Sequence, residues 1–329
     1  MTHLSQGVPK LTENQPQDSF GDQIDARINI CICTCRRAEL LKRCLASIAV
    51  VNVPDRVQIY VSIIDNDNAQ SAADYIAILK KDYPFALHYQ HVASSGIPYA
   101  RNRAIDVTLE LKCDYLVFID DDEWVEPEWL DVLYGYSRKV GGEAIVSGHV
   151  IQELPDNVSE TVARFFIKRE RGTGTALSAC ATNNVLIPVF VMADLGLRFV
   201  EDNPHMGGED TIFFTLASQK GVPIYKCAEA IVHEVIPESK ANMAWLSRRK
   251  FRVGIISAWR KKKYGRSRLI ICLNGVLMVI LAFGFSALLA IALQRELRNK
   301  YWLKMCKYLG VVAGVFGASM DDYRVIHGE

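Results

Sequence analysis

Val117-Phe118-Ile119-Asp120-Asp121-Asp122-Glu123 is the stretch on which the reading turns. Apolar and β-branched residues from Tyr115 to Ile119 suit a buried strand. The run then stops in four consecutive carboxylates. Like charges this close repel unless a cation screens them. A hard divalent ion with oxygen ligands, Mn²⁺ or Mg²⁺, suits such a cluster. It could bridge a diphosphate and stabilise charge on a departing nucleotide. A solvated acidic turn, or a cap for a helix starting near Glu128, is the plainer alternative. The buried strand leading into the acids speaks against it.

Working outward, strands are predicted over 28–34, 57–64, 88–92, 115–119 and 143–150. Helices are predicted over 39–50, 72–81, 100–111 and 128–140. This β-α-β-α order argues for an α/β fold, a mostly parallel sheet flanked by helices. Ligands of such sheets sit beyond the carboxyl ends of the strands. Thr34, Asp65, Asp67, Asp120, Asp121 and Asp122 are the polar residues at those ends, so they are expected on one rim.

Further along, Gly207-Gly208-Glu209-Asp210 precedes a helical pattern containing Phe213 and Phe214. Glycines let backbone approach a ligand, and an acid at a helix start feels the dipole. One acid set could hold metal while the other takes a proton from an acceptor hydroxyl. Basic residues form a third group: Arg101 beside Asn102, then Arg248, Arg249 and Arg252 after Trp245. Arginine forks match phosphate oxygens, and the later arginines would equally suit an anionic membrane surface. His233 ends the apolar run 228–232 near Glu234 and Pro237. It is either a metal ligand or a structural histidine.

The 329 residues carry a formal charge of +1, which excludes a strong nucleic-acid footprint. Nine scattered cysteines, with no signal peptide before them, read as reduced thiols of a cytosolic compartment. Cys31, Cys33 and Cys35 share one strand face, either as a metal clip or as packed thiols, the latter preferred. Residues 1–26 are polar, without hydrophobic periodicity, and are expected to be a disordered tail. Residues 270–293 form an uncharged run long enough to cross a bilayer. Lys261, Lys262, Lys263, Arg266 and Arg268 precede it; Arg295, Arg298 and Lys300 follow it. A buried core helix is the alternative. The weaker apolar segment 309–320 could lie in the interface or extend back to Tyr301 as a crossing. The expected organisation is a tail over 1–26, a catalytic domain over 27–255, and basic, membrane-associated helices over 256–329.

These motifs together resemble family 2 glycosyltransferases of the GT-A fold, over about residues 27–255. The subgroup most similar comprises bacterial succinoglycan-type exopolysaccharide glucosyltransferases acting on polyprenyl diphosphate carriers. The resemblance rests on Cys33-Thr34-Cys35-Arg36-Arg37, Ile64-Asp65-Asn66-Asp67, Ala100-Arg101-Asn102, 118–123, 207–211 and 233–238. It implies that Thr34, Arg36 and Asp65 contact the base and ribose, and that Asp67, Asp121 and Arg101 belong to the nucleotide-sugar site. It implies Asp120 near the ribose and Asp122 on the metal. Asp210 would be the general base with Glu209 beside it. Asn183 and Asn184 stand where the family places donor or acceptor contacts, and one displacement would invert the anomeric centre. The partners implied are a UDP-sugar, UDP-glucose foremost, a polyprenyl-diphosphate-linked saccharide and membrane lipids. The chain lacks the Gln-x-x-Arg-Trp signature of processive members and apolar spans ahead of the catalytic region, so one sugar per acceptor is expected.

Two other classes compete: a nucleotidyltransferase with a similar acidic site, and a non-catalytic membrane-anchored nucleotide-sugar-binding protein. The first usually carries a Gly-rich phosphate loop, and 34–37 contains no glycine. Nucleotide sugars are cytosolic, so the catalytic domain is expected on the cytoplasmic face of the inner membrane. The basic flank before residue 270 agrees with that, whereas the basic stretch 295–307 would fall outside after a single crossing.

Overall fold

The computed structural model describes residues 24–167, 171–292 and 294–320. Residues 1–23 of the expected tail lie outside the described residues. In chain order the elements are β1 (Ala26–Thr34), α1 (Ala38–Ile48), β2 (Val57–Asp65), α2 (Ala73–Leu79), β3 (Ala86–His91), α3 (Ile97–Glu110), β4 (Tyr115–Asp120) and β5 (Glu123–Val125). There follow α4 (Trp129–Lys139), β6 (Ile145–Glu153), α5 (Glu160–Ala163), β7 (Val185–Pro188), α6 (Phe190–Ala193), α7 (Glu209–Gln219) and β8 (Ile224–Val235). Three long helices close the chain: α8 (Met243–Lys263), α9 (Arg268–Ile291) and α10 (Arg295–Val315).

The strands form one sheet in the order β3-β2-β1-β4-β7-β6-β8-β5. β3, β2, β1 and β4 are parallel. β7 is antiparallel to both β4 and β6, and β5 is antiparallel to β8. The sheet is therefore mixed, with the expected parallel arrangement confined to its first half and the β6–β8 pair. β1 shows why that half is central. Ile28, Ile30 and Ile32 enter one apolar core with Leu41, Leu45 and Trp129. Cys31 points into a second core with Ala104, Phe118 and Phe213. Both faces of the strand are covered, as a continuous apolar run demands.

Register fixes the rim. Thr34 pairs with Asp65, and Cys33 with Asp120, so the carboxyl ends of β1, β2 and β4 lie level. The chain does not enter a helix after the acid turn. It leaves as β5, pairing Glu123 with Glu234 and Trp124 with His233. The sheet must curl for β5 to follow β4 directly yet lie at the far edge. A three-residue strand such as Glu-Trp-Val carries little pattern to reveal it.

α8 begins at an Asn242 side chain that accepts from the Trp245 amide. It runs unbroken through 255–256, where the boundary between catalytic and C-terminal segments was expected. α9 is, among the described residues, the one helix long and apolar enough to cross a membrane, with mean hydropathy 2.4. Only 22% of its apolar window is buried, unlike a soluble core helix. α10 begins at Arg295, so most of the segment expected to start near 309 belongs to one longer helix.

Candidate active site

A cleft of about 350 Å³ opens over the carboxyl ends of β1 and β4. One wall is the turn after β1, Thr34 to Arg37, together with Asn66 and Arg101. Asp120, Asp121 and Asp122 form the floor. Glu234 and Ile236 from the end of β8, Lys240, and Trp245, Arg249 and Arg252 of α8 form the opposite wall.

The tight β1 turn puts Arg36 in left-handed backbone, φ 55°, a conformation that costs of the order of 1 kcal/mol for a residue with a Cβ. The turn aims two arginines in different directions. Arg36 Nε lies 4.0 Å from Asp67 Oδ1. Arg37 Nη1 bridges Asp121 Oδ1 at 2.9 Å and Asp122 Oδ2 at 3.1 Å. Thr34 Oγ1 donates to Asp121 Oδ2 at 2.8 Å. Asn66 accepts from the Gly96 amide and donates to the Val92 and Ser94 carbonyls, holding the loop ahead of α3.

The acids are held against their charge. Burial raises the proton affinity of Asp120 and Asp121 above the carboxylate range. Arg101 opposes this for Asp120 and Arg37 for Asp121, while neighbouring carboxylates add to it. The Asp120 side chain keeps 44% of its surface open to the cleft, so solvent screens part of this effect there, whereas Asp121 is buried. Glu123 is fully buried and accepts from the Asp120 amide at 2.9 Å and from Asn183 Nδ2 at 3.0 Å. Burial, and then Asp120, push its carboxyl well above the usual range.

Arg101 joins the two acidic groups. Its guanidinium lies 3.9 Å from Asp120 and forms a buried ion pair with Glu209. Glu209 opens α7 directly after Gly208, whose φ of 88° favours glycine. A Cβ there would also lie 2.5 Å from the Ile256 side chain. Burial raises the Glu209 proton affinity and Arg101 opposes it. Asp210 Oδ1 accepts from the Thr211 amide at 2.5 Å and from its hydroxyl at 3.2 Å.

Thr34, Arg36, Arg101, Asp120, Asp121, Asp122, Arg249 and Arg252 thus line one cleft, as the sequence predicts. Glu209 reaches it through Arg101, with Asp210 adjacent in the chain. Four expected residues sit elsewhere. Asp65 is fully buried and accepts from the Asp67 and Ala72 amides and the Tyr89 hydroxyl, so it braces the rim from below. Asp67 lies behind Arg36, with Oδ2 buried and unpartnered. Asn184 is fully buried: it donates to the His149 and Ala230 carbonyls and accepts from Trp129 Nε1, a clasp between strands rather than a ligand contact. His233 is turned from the cleft because alternation along β8 gives the cleft to Glu234. Its ring stacks on Trp124 with centroids 3.9 Å apart, between Glu126 and Glu153. As a metal ligand beside Asp122 it is misplaced.

Sequence reasoning missed Arg37 as the acids' counterion, Glu123 as their buried support, and Glu234 and Lys240 in the far wall. Glu234 is one strand step from His233, so period-2 alternation sets the two on opposite faces without saying which face meets the cleft. The cysteines gather no metal set: among the described residues no group of three His, Cys, Asp or Glu is arranged to hold an ion alone. Burial pushes the Cys33 thiol up to about 12, consistent with a packed thiol.

A sequence model described as glycosyl transferase family 2 matches residues 29–193. Succinoglycan biosynthesis protein ExoM of Rhizobium meliloti (strain 1021) is 34% identical over 302 residues, covering 88% of this chain and 93% of that protein. The chain belongs to glycosyl transferase family 2. Among solved structures, S. aureus TarS 1–349 in complex with UDP has a TM-score of 0.52 at 11% identity, covering 84% of this chain and 90% of that one. The TarS 1–349 complex with UDP-GlcNAc has a TM-score of 0.51 at 12% identity, over 69% of this chain and 66% of that one. The chain spans 39% of the longer TarS structure. At these identities the likeness shows the fold, a GT-A-like α/β arrangement. Family membership makes this family 2 chain a glycosyltransferase and removes the nucleotidyltransferase and non-catalytic readings.

Proposed function

We propose that this glycosyltransferase moves one sugar from a nucleoside-diphosphate sugar, UDP-glucose first among candidates, to a lipid-linked saccharide at the cytoplasmic face of a membrane. The observation that carries the reading is the ion-pair chain in which Arg101, a cleft residue, joins Asp120 of the acid turn to Glu209 at the start of α7. The ExoM name supports a role in exopolysaccharide biosynthesis. The UDP complexes of TarS support a uridine donor.

In this reading Thr34, Arg36 and Asn66 receive the base and ribose. Arg249, Arg252 and Lys240 face diphosphate oxygens from the opposite wall. The acid turn fits a magnesium-type ion, which needs only one or two carboxylates when a diphosphate supplies other oxygens. Asp122, with Asp120 beside it, would hold Mn²⁺ or Mg²⁺, and the bound ion would neutralise charge on the leaving diphosphate. Asp210 takes the proton of the attacking hydroxyl, and Arg101 keeps Glu209 ionised and fixed beside it. Attack opposite the leaving group inverts the anomeric centre.

The test is release of UDP from UDP-glucose with membrane lipid extract, with and without Mn²⁺. Asp122→Ala and Asp210→Ala are expected to lose the activity. Full turnover by both variants, or no turnover with any nucleotide sugar, overturns the proposal.

A further inference from the structure

α9 alone reads as a membrane crossing, but its neighbours lie along the catalytic unit. α8 touches that unit near its start, its middle and its end. Leu246 packs on Val162, Phe166 and Ile236 near its start. Ile256 faces Gly208 midway, and Lys263 Nζ meets Asp202 Oδ2 at 2.5 Å at its end. These contacts span about 25 Å of helix at 1.5 Å per residue.

α10 runs parallel to α8. Trp302 Nε1 donates to Ser247 Oγ at 2.9 Å, Gly310 crosses Phe251, and Lys262 Nζ donates to the Gly314 carbonyl at 2.9 Å. Glu296, in the first turn of α10, pairs with Arg164 of the catalytic unit. α9 returns antiparallel on the outside of α10. Phe285 stacks on Tyr301 with centroids 5.1 Å apart, and Gly275 faces Val312. α8 and the first half of α10 thus both lie against the catalytic unit, and α9 packs on the outside of α10.

Only a narrow seam of α9 packs inward: Ile271, Gly275, Ala282 and Ser286. Leu273, Leu277, Ile280, Phe283, Leu288 and Ile291 are exposed. An apolar face this long demands cover. Standing α9 upright across a bilayer would draw α8, and with it the cleft arginines and aspartates, to hydrocarbon depth, which charged groups resist. Laid flat, α9 can sink while the cleft stays in water. Charge placement agrees. Lys261 to Arg268 flank one end of α9, and Arg295, Arg298 and Lys300 flank the other. Crossing would separate these clusters, whereas lying flat sets both at the same anionic leaflet.

We propose that α9 lies in the plane of the membrane, sunk into one anionic leaflet, with both its ends on the catalytic side. This rests on the membrane reading above and sharpens it. The test places a protease recognition sequence before Gln294, between α9 and α10, in the full chain. Sealed inverted inner-membrane vesicles carrying that chain expose their cytoplasmic face. Cleavage without detergent is expected, and the uncut chain should remain with the vesicles after washing. Cleavage that requires detergent means a crossing and overturns the inference, as does a chain that washes off. A second variant, Leu277→Glu with Ile280→Glu, alters exposed positions only. It should lower vesicle retention roughly ten- to a hundredfold with an unchanged circular-dichroism melt; undiminished retention overturns the inference. UDP release on the same vesicles separates the two proposals. Turnover with a protected site sinks the flat arrangement alone, and an accessible site without turnover sinks the transfer reading alone.

Discussion

Arg37 occupies both Asp121 and Asp122, so the acid turn holds a counterion of its own before any metal arrives. Replacing Arg37 by Met should leave the turn more repulsive and raise the Mn²⁺ concentration dependence of UDP release only if Arg37 preorganises the acids. A lower Mn²⁺ requirement would mean that it competes instead. The raised proton affinities of Asp120 and Asp121 set a pH dependence. In the folded chain both bind protons more tightly than when unfolded, so their contribution favours folding at low pH and is lost as pH rises past the ordinary carboxylate range. Without metal, Asp120→Asn should therefore melt slightly higher than the parent at pH 7.5, by the part of the effect that solvent leaves unscreened, and the gap should shrink at pH 5. Activity should run the other way, climbing as these acids ionise. Asn184→Ala would leave the Trp129 indole N–H without its acceptor and remove a donor from two carbonyls. Urea unfolding should show a loss of about 1–3 kcal/mol for each group left unsatisfied, with the donor KM unchanged in the protein that remains folded.

At the scale of elements, α8 and α10 approach so closely that a Cβ at Gly254 or Gly310 would overlap facing backbone at Lys307 or Phe251. Gly310→Leu should therefore part the helices, shift Arg249 and Arg252, and lower both the melting temperature and UDP release. A normal melt with normal turnover would show that the contact is dispensable. The helices and parallel strands of the first half were legible because their patterns are strong. Leu41, Cys44, Leu45 and Ile48 repeat at helical spacing along α1. Thr34 and Asp120 could be set on one rim because parallel register leaves little choice. The second half was not legible in that way. β7 is four residues long, antiparallel and buried throughout, and β5 is three, so neither shows a sustained alternation. The misplacement of His233 follows from that: without β5, nothing fixed which face of β8 meets the acid turn. Asn184 was misjudged for a different reason. A buried amide spanning three partners has the same letter as one that binds a ligand.

Across the whole molecule, the proposed attachment has the apolar and basic surfaces act on one membrane by forces of different range. Raising salt from about 0.1 to 1 M shortens the Debye length from about 10 to 3 Å, so attraction of the basic clusters to anionic lipid should fade while burial of α9 persists. Vesicle binding is expected to weaken with salt without vanishing; complete release in 1 M salt would assign the attachment to charge alone. α8 gives the arrangement a kinetic meaning. The helix that presents Trp245, Arg249 and Arg252 to the cleft also packs on α10, which carries the α9 proposed to meet lipid. A hydrophobic-tailed acceptor can reach such a cleft by lateral diffusion within a two-dimensional sheet, while the water-soluble donor arrives from the bulk. Turnover would then respond to how densely acceptor is packed per unit area of leaflet, and dilution of the surrounding solution at constant donor would leave it unchanged.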